Sequence, residues 1–413
     1  MNIFPLEPFL RPLSENPWTY LVFGLIGFGF GFVLEMSGFG NSKKLAAQFY
    51  FRDLTVLKVM FGAIVTAMVL LFLSSAIGIL DFNLVYVPET YLWPGLLGGV
   101  IMGFGFIIGG FCPGTSVVST ATLKIDGAVF LLGAFVGVFA FGETERFFDG
   151  FWHSSYYGRL TLMDVFHLPT GVVVLLVVLM ALFMFWGGEQ LERIFGKRDL
   201  QREPRLRYAG AGALVLVALA ALVIGQPDAV DKWARIAVEK QATLAARQVQ
   251  IEPGELLASL GDDKLNVVML DVRSEADYNL FHIDRARHVA LEELPALVPE
   301  LLHEPAAVTV TVVMSNDEAA ATEAWKLLQA ESIANVYILG GGVNHWIQTF
   351  GSGEVDIVRM AKAPGDDQLA YAFPAALGAR YEAASPSPHE WELEYTPLIK
   401  LERKRSPSGG GCG

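Results

Sequence analysis

Cysteine is nearly absent from this chain, with two in 413 residues, Cys112 and Cys412. One lies in an apolar run and the other is the penultimate residue, so they are not a disulfide framework. No metal or cofactor is expected. Basic residues are also in deficit, 30 against 43 acidic, for a net charge of −13. That balance argues against a nucleic-acid partner, which calls for a basic face. Charge of either sign is missing altogether from Thr90 to Leu123. As one helix that stretch would reach about 50 Å, too long for a single crossing of the hydrocarbon core. A cleavable signal peptide is not expected, because the first apolar run is followed by further ones.

What is present is unevenly divided. The chain is 53% hydrophobic with mean hydropathy +0.43. Residues 1–226 hold long apolar runs, and residues 227–413 read as a soluble protein. Candidate spans fall at roughly 18–36, 55–80, 92–111, 126–142, 169–187 and 207–225, each near the ~20 residues that a bilayer requires. The stretch "GGFCPGTS" (109–116) interrupts the long uncharged run. Pro113 and its glycines predict a helix to about residue 111, a break, and a short second piece. Backbone broken at membrane depth is tolerated only inside protein or beside a cavity.

An internal repeat accompanies the break. "GFGF" occurs at 27–30 and again at 103–106. At that offset Gly38 meets Gly114, Met36 meets Cys112 and Ser37 meets Pro113. With short deletions, Asp53 meets Asp126 and "GAIV" (62–65) meets "GAFV" (133–136). Paired Gly-interrupted segments in two repeats point to a transport site. Close helix packing alone would also use such glycines, but it has no need of the thiol. Basic residues cluster in the loops 38–54 (Lys43, Lys44, Arg52) and 188–206 (Arg193, Lys197, Arg198, Arg202, Arg205). Those loops are therefore expected on the cytoplasmic side, which places both termini outside after six crossings.

The remainder predicts a connecting helix over 227–249 and an α/β domain over 250–352. Strands are expected at "NVVMLDV", "VTVTVVM" and "NVYIL", with helices at "LEELPALVPELL" and "EAAATEAWKLLQA". A flexible extension, 353–413, carries one strand-like piece, "WELEYTPLIKLE", and ends in "GGGCG". The expected fold is thus a polytopic α-helical membrane domain of about six spans with Gly/Pro-broken segments, joined to an α/β soluble domain.

Three resemblances sharpen this. "LDVRSEADYNLFHIDRARHVALEEL" (270–294) and "NVYILGGGVNHW" (335–346) resemble the two ends of a rhodanese domain. In that family a cysteine follows the central strand, cradled by backbone N–H groups. This chain reads "MSNDEAAA" there, with Ser315 at the expected position. The resemblance therefore implies a catalytically silent domain, in which Asp271 and Arg273 are structural. "GFGFGFVLEMSGFGNSKKLAAQFYFRD" with "GFGFIIGGFCPGTS" resembles the YeeE/YedE family of sulfur-compound transporters. It implies transport of thiosulfate or a related sulfur anion. Larger members have more such motifs, so the resemblance also implies a second copy of this chain, a homodimer. The C-terminal tail resembles the Gly-Gly-Cys-Gly-Gly arm of the SoxY sulfur-oxidation carrier, which implies sulfur carriage on Cys412 and sulfur-oxidation proteins as partners.

The residues themselves support a substrate path through Cys112, Pro113, Gly114, Thr115, Ser116, Met36, Glu35 and Gly38. Amides and hydroxyls after Pro113 could replace water around a dianion, with Cys112 and Met36 as soft contacts. Glu35 is the sole charge between Glu15 and Lys43, and it reads as a proton-bearing or structural carboxylate. Cys112 as a small buried apolar residue is the plainer alternative. Two functions remain at this point. One is a transporter in a bacterial cell membrane with its soluble domain outside. The other is a membrane-anchored sulfur carrier whose spans are only a tether.

Overall fold

A computed structural model describes residues 18–85, 87–196, 206–351, 353–354, 356–360, 367–391 and 393–401. They form two compact units, one up to Gln226 and one from Pro227 onward.

The first unit is helical: α1 (Trp18–Met36), α2 (Ser42–Ala46), α3 (Thr55–Ala76), α4 (Leu92–Gly109), α5 (Pro113–Ala121), α6 (Ile125–Thr144), short α7 (Asp149–Trp152) and α8 (Leu162–Phe166), α9 (Thr170–Phe195) and α10 (Leu206–Ile224). Among the described residues, six stretches are long and apolar enough to cross a membrane, with Leu92–Ala121 counted across its break. Span, short helix, span occurs twice, as α1–α2–α3 and α4–α5–α6.

Burial explains why these helices suit lipid. α1, α4 and α6 bury one residue each, Thr19, Pro94 and Gly127. Their outward Phe, Leu and Ile side chains would be untenable as a continuous surface in water. In hydrocarbon they match their solvent, and the intrahelical hydrogen bonds satisfy the backbone. α3, α9 and α10 do pack on one another, through Val65, Val69, Phe72, Val174, Val178, Ala181 and Ala218. At Gly171 a Cβ would lie 2.7 Å from the Cα of Leu222, so α9 and α10 approach more closely than any side chain allows. Glu192, fully buried near the end of α9, accepts hydrogen bonds from Leu54 N at 2.6 Å and Lys58 Nζ at 2.5 Å. It thereby fixes the first turn of α3.

The second unit starts with α11 (Ala229–Ala245) and continues β1 (Gln250–Ile251), α12 (Pro253–Leu260), β2 (Asn266–Asp271), α13 (Glu275–Leu280), β3 (Arg287–His288), α14 (Leu294–Leu301), β4 (Thr309–Met314), α15 (Ala319–Ala330), β5 (Val336–Leu339) and α16 (Gly342–Phe350). The five strands form a parallel sheet in the order β1-β5-β4-β2-β3. β4 is buried at every position, as expected for a central strand covered by helices on both faces. Trp325 and Trp346 are fully buried, and each indole N–H finds a carbonyl, that of Val336 and that of Ala383. The short pair β6 (Val358–Arg359) and β7 (Tyr371–Ala372) is antiparallel.

The two segments that flank the sheet pack on it in different ways, and the strand-like reading of the second is corrected. The connecting helix is α11, and it packs on α15: Trp233 meets Trp325 edge-on at 6.1 Å, and Lys232 pairs with Glu331 at 2.5 Å. The described part of "WELEYTPLIKLE" joins no sheet. Its alternating apolar residues pack against the core without a ladder. Its backbone bonds to side chains instead, with Leu398 N and Ile399 N on Glu255 Oε1 and Lys400 N on the Tyr337 hydroxyl.

Candidate functional site

Two helix breaks in the first unit share one backbone device. α1 stops because Gly38 takes the left-handed conformation, φ 78°, while Gly38 N bonds Glu35 O and Phe39 N bonds Leu34 O. That is a Schellman closure. α4 stops at Gly110, φ 69°, with the single bond Gly110 N to Phe106 O of an αL closure. Each glycine is followed by a buried phenylalanine, Phe39 and Phe111, and both pack in one cluster with Leu45 and Val56. A Cβ on Gly110 would sit 3.1 Å from Ser42 Cβ. The two breaks therefore form one node, and they correspond at Gly38/Gly110 and Phe39/Phe111. The register of the sequence repeat pairs Gly38 with Gly114 and Met36 with Cys112 instead. The structural register differs because α1 is longer than α4 between its GFGF and its break.

The helices that follow are capped differently. Asn41 Oδ1 accepts from Lys43 N at 3.1 Å, an ordinary oxygen cap. At α5 the cap is Cys112. Its Sγ accepts from Thr115 N at 3.4 Å and lies 3.3 Å from Thr115 Oγ1, while Cys112 N donates to Thr115 Oγ1 at 2.9 Å. Pro113 occupies the first helical position, where a missing N–H costs nothing. Thr115 and Ser116 are buried, Cys112 is half-buried, and a Cβ on Gly114 would meet nothing within 4 Å. The expected open amides are thus partly engaged. Thr115 N meets the sulfur, and Ser116 N bonds the Cys112 carbonyl at 3.0 Å. Chemically, the start of α5 holds a soft sulfur atom where a helix dipole favours an anion.

Glu35 lies 3.9 Å from Lys124 Nζ, which donates to Gly40 O at 2.9 Å. Lys44 Nζ donates to Ser37 O at 2.7 Å. Two ammonium groups thus satisfy carbonyls freed by the first break, and Lys124 comes from the second repeat. Sequence reasoning passed over Lys124, although the first charge after an uncharged run is a signal for such a role. Met36 is largely exposed. Lys197, Arg198, Arg202 and Arg205 lie outside the described residues, as does Cys412.

In the second unit Ser315 follows β4, buried, with its hydroxyl accepting from Ala321 N at 3.2 Å. Arg273 and Asp271 form a buried bidentate pair, with Nε on Oδ1 at 2.9 Å and Nη2 on Oδ2 at 2.6 Å. Arg273 also donates to Phe281 O and to Asn316 Oδ1. Each of the three guanidinium nitrogens donates to a neighbouring protein group, which fits a structural role. Glu318 accepts from Arg247 and from Gly341 N. Its hydrogen bond raises the Arg247 guanidinium above its ordinary pKa, against the opposing effect of desolvation. Among the described residues, no cluster of His, Cys, Asp and Glu could hold a metal ion.

Comparison with known families gives two matches. The family model described as sulphur transport matches residues 36–249, and that of the rhodanese-like domain matches residues 252–349. No curated protein and no solved structure matches the chain.

Proposed function

Because the chain belongs to the sulphur transport family and continues into a rhodanese-like domain, we propose that it carries thiosulfate or a related sulfur anion across a bacterial cell membrane through the paired breaks. The observation that carries this reading is Cys112 as the cap of α5, beside the uncrowded Gly114. An arriving sulfur anion exchanges with the thiol for the Thr115 amide and hydroxyl. One soft acceptor replaces another at a dipole that favours negative charge. Lys44 and Lys124 add positive charge at the first break, and Glu35 balances Lys124 rather than facing the substrate.

A Cβ on any of the glycines of α1 (24, 27, 29, 31), or on those of α4 other than Gly109 (95, 98, 99, 103, 105), would meet nothing within 4 Å, whereas one on Gly109 would press on Phe130. Bare glycine faces permit close helix approach in lipid, which supports a second copy completing the path. The soluble domain is catalytically silent, since the Ser315 hydroxyl holds no stable persulfide. It lies on the outer side, where Cys412 captures sulfur or passes it to sulfur-oxidation proteins.

Uptake of labelled thiosulfate, sulfite and sulfide by cells lacking other importers tests the core of this. Cys112→Ala is expected to lower uptake of one species at least about tenfold, roughly 1.4 kcal/mol, at unchanged protein level. Unchanged uptake of all three removes the assignment and favours the anchored carrier.

A further inference from the structure

The loop between β4 and α15 already holds an anion, and the chain supplies it. The Ser315 and Asn316 carbonyls accept the N–H groups of Val343 and Asn344, at 2.9 and 3.0 Å. Gly342 makes this possible, since a Cβ there would lie 2.1 Å from Asp317 O and 2.5 Å from Asn316 O. In a trans peptide the N–H points opposite to its carbonyl. Committing the Asn316 carbonyl to α16 therefore turns Asp317 N to the other side. There it meets Asp367 Oδ1 at 2.6 Å, while Ala320 N meets Asp367 Oδ2 at 2.8 Å. The carboxylate thus bridges two amides at the start of a 12-residue helix.

The segment that brings it is stitched down on both sides. Asn316 Nδ2 donates to Asp367 O at 3.0 Å. Asn344 donates to Gln368 O at 2.8 Å and accepts from Ala370 N at 2.7 Å. Both asparagines are buried, and Asp367 itself adopts a positive φ of 44°. We propose that the Ser315–Ala320 loop is a carboxylate receptor whose resident ligand is Asp367, and that residues 367–370 are a plug that keeps small oxyanions out. Convergent amides at a helix start accept a carboxylate and a tetrahedral oxyanion alike. A tethered carboxylate has the advantage of high effective concentration. It holds its place despite Asp277, Asp317 and Glu318 around the loop, which are tied to Asn316, Asn344 and Gly341 N respectively. A free dianion entering the same loop meets that negative charge without a tether.

Hydrogen exchange on the full-length protein in lipid nanodiscs tests the plug independently of transport. The wild-type loop peptide 315–322 should be protected and indifferent to added thiosulfate, sulfate or acetate. In Asp367→Ala the same amides should exchange at least about tenfold faster and recover protection when one of these anions is added. In Asp367→Asn, which keeps one acceptor, the effect should be intermediate. An Ala variant as protected as wild type overturns the proposal, as does a loop that opens and ignores all three anions. If the Ala variant loses protection across β4 and β5 as well, the Asn variant decides by the same two criteria.

Discussion

At the starts of α5 and α15 a side-chain sulfur or hydroxyl oxygen accepts a first-turn amide, and the two units treat those starts differently. At α5 the cap is a half-buried thiol, its partner hydroxyl is Thr115, and Gly114 is uncrowded. At α15 the nearby group is the buried Ser315 hydroxyl, and two further amides are covered by a carboxylate of the same chain. The membrane loop thus presents a soft atom beside open space. The soluble loop presents hard oxygen atoms and is filled. Helix starts are alike in their amides and dipole, and the remainder of the chain decides whether those amides are available.

The largest expected effect breaks the soluble side of that contrast. Asp271→Asn leaves the Arg273 guanidinium buried without its carboxylate, which typically costs about 3–5 kcal/mol. Because Arg273 also reaches Asn316, thermal unfolding should show a clear loss in the second unit, while transport measured per folded molecule stays unchanged. A loss below about 1 kcal/mol would mean that the pair does not support the loop. On the membrane side, Gly110→Ala forces a side chain into a left-handed conformation at about 1–2 kcal/mol and presses it on Ser42. It should lower both melting temperature and uptake. Gly114→Ala, with open space, should change stability by less than about 0.5 kcal/mol, and equal effects of the two would dissolve the distinction between break and cap. A further variant sharpens the comparison of caps. Thr115→Val removes the hydroxyl from the α5 cap and should destabilise by about 1 kcal/mol. Its signature is a raised KM for uptake with little loss of folded protein.

The spans were legible because uninterrupted apolar runs of fixed length have one stable use in a bilayer. Pro113 likewise announced a break. What the sequence did not reveal is that Gly110, rather than the proline, ends α4, since conformation at a glycine is set by what surrounds it. The sheet was legible from its strongest strands, but β1 and β3 are two residues each and carry no periodic signal. The alternation in "WELEYTPLIKLE" resembled a strand because packing against a core imposes the same period as a sheet. Ser315 could be read from its place after β4. Asp367 could not, because nothing local in a sequence shows that a carboxylate some fifty positions later turns back onto the loop.

The two copies of the break also differ in length. The GFGF motifs are 76 positions apart and the left-handed glycines 72, so α1 carries four more residues than α4 before it stops. Four residues turn a helix by about 400° and advance it about 6 Å. The added piece therefore returns nearly the same face to the neighbouring helices. With the glycines superposed, the GFGF motifs are staggered along the helix axis by about one turn, so the same motif lies at two different depths relative to the break in the two halves.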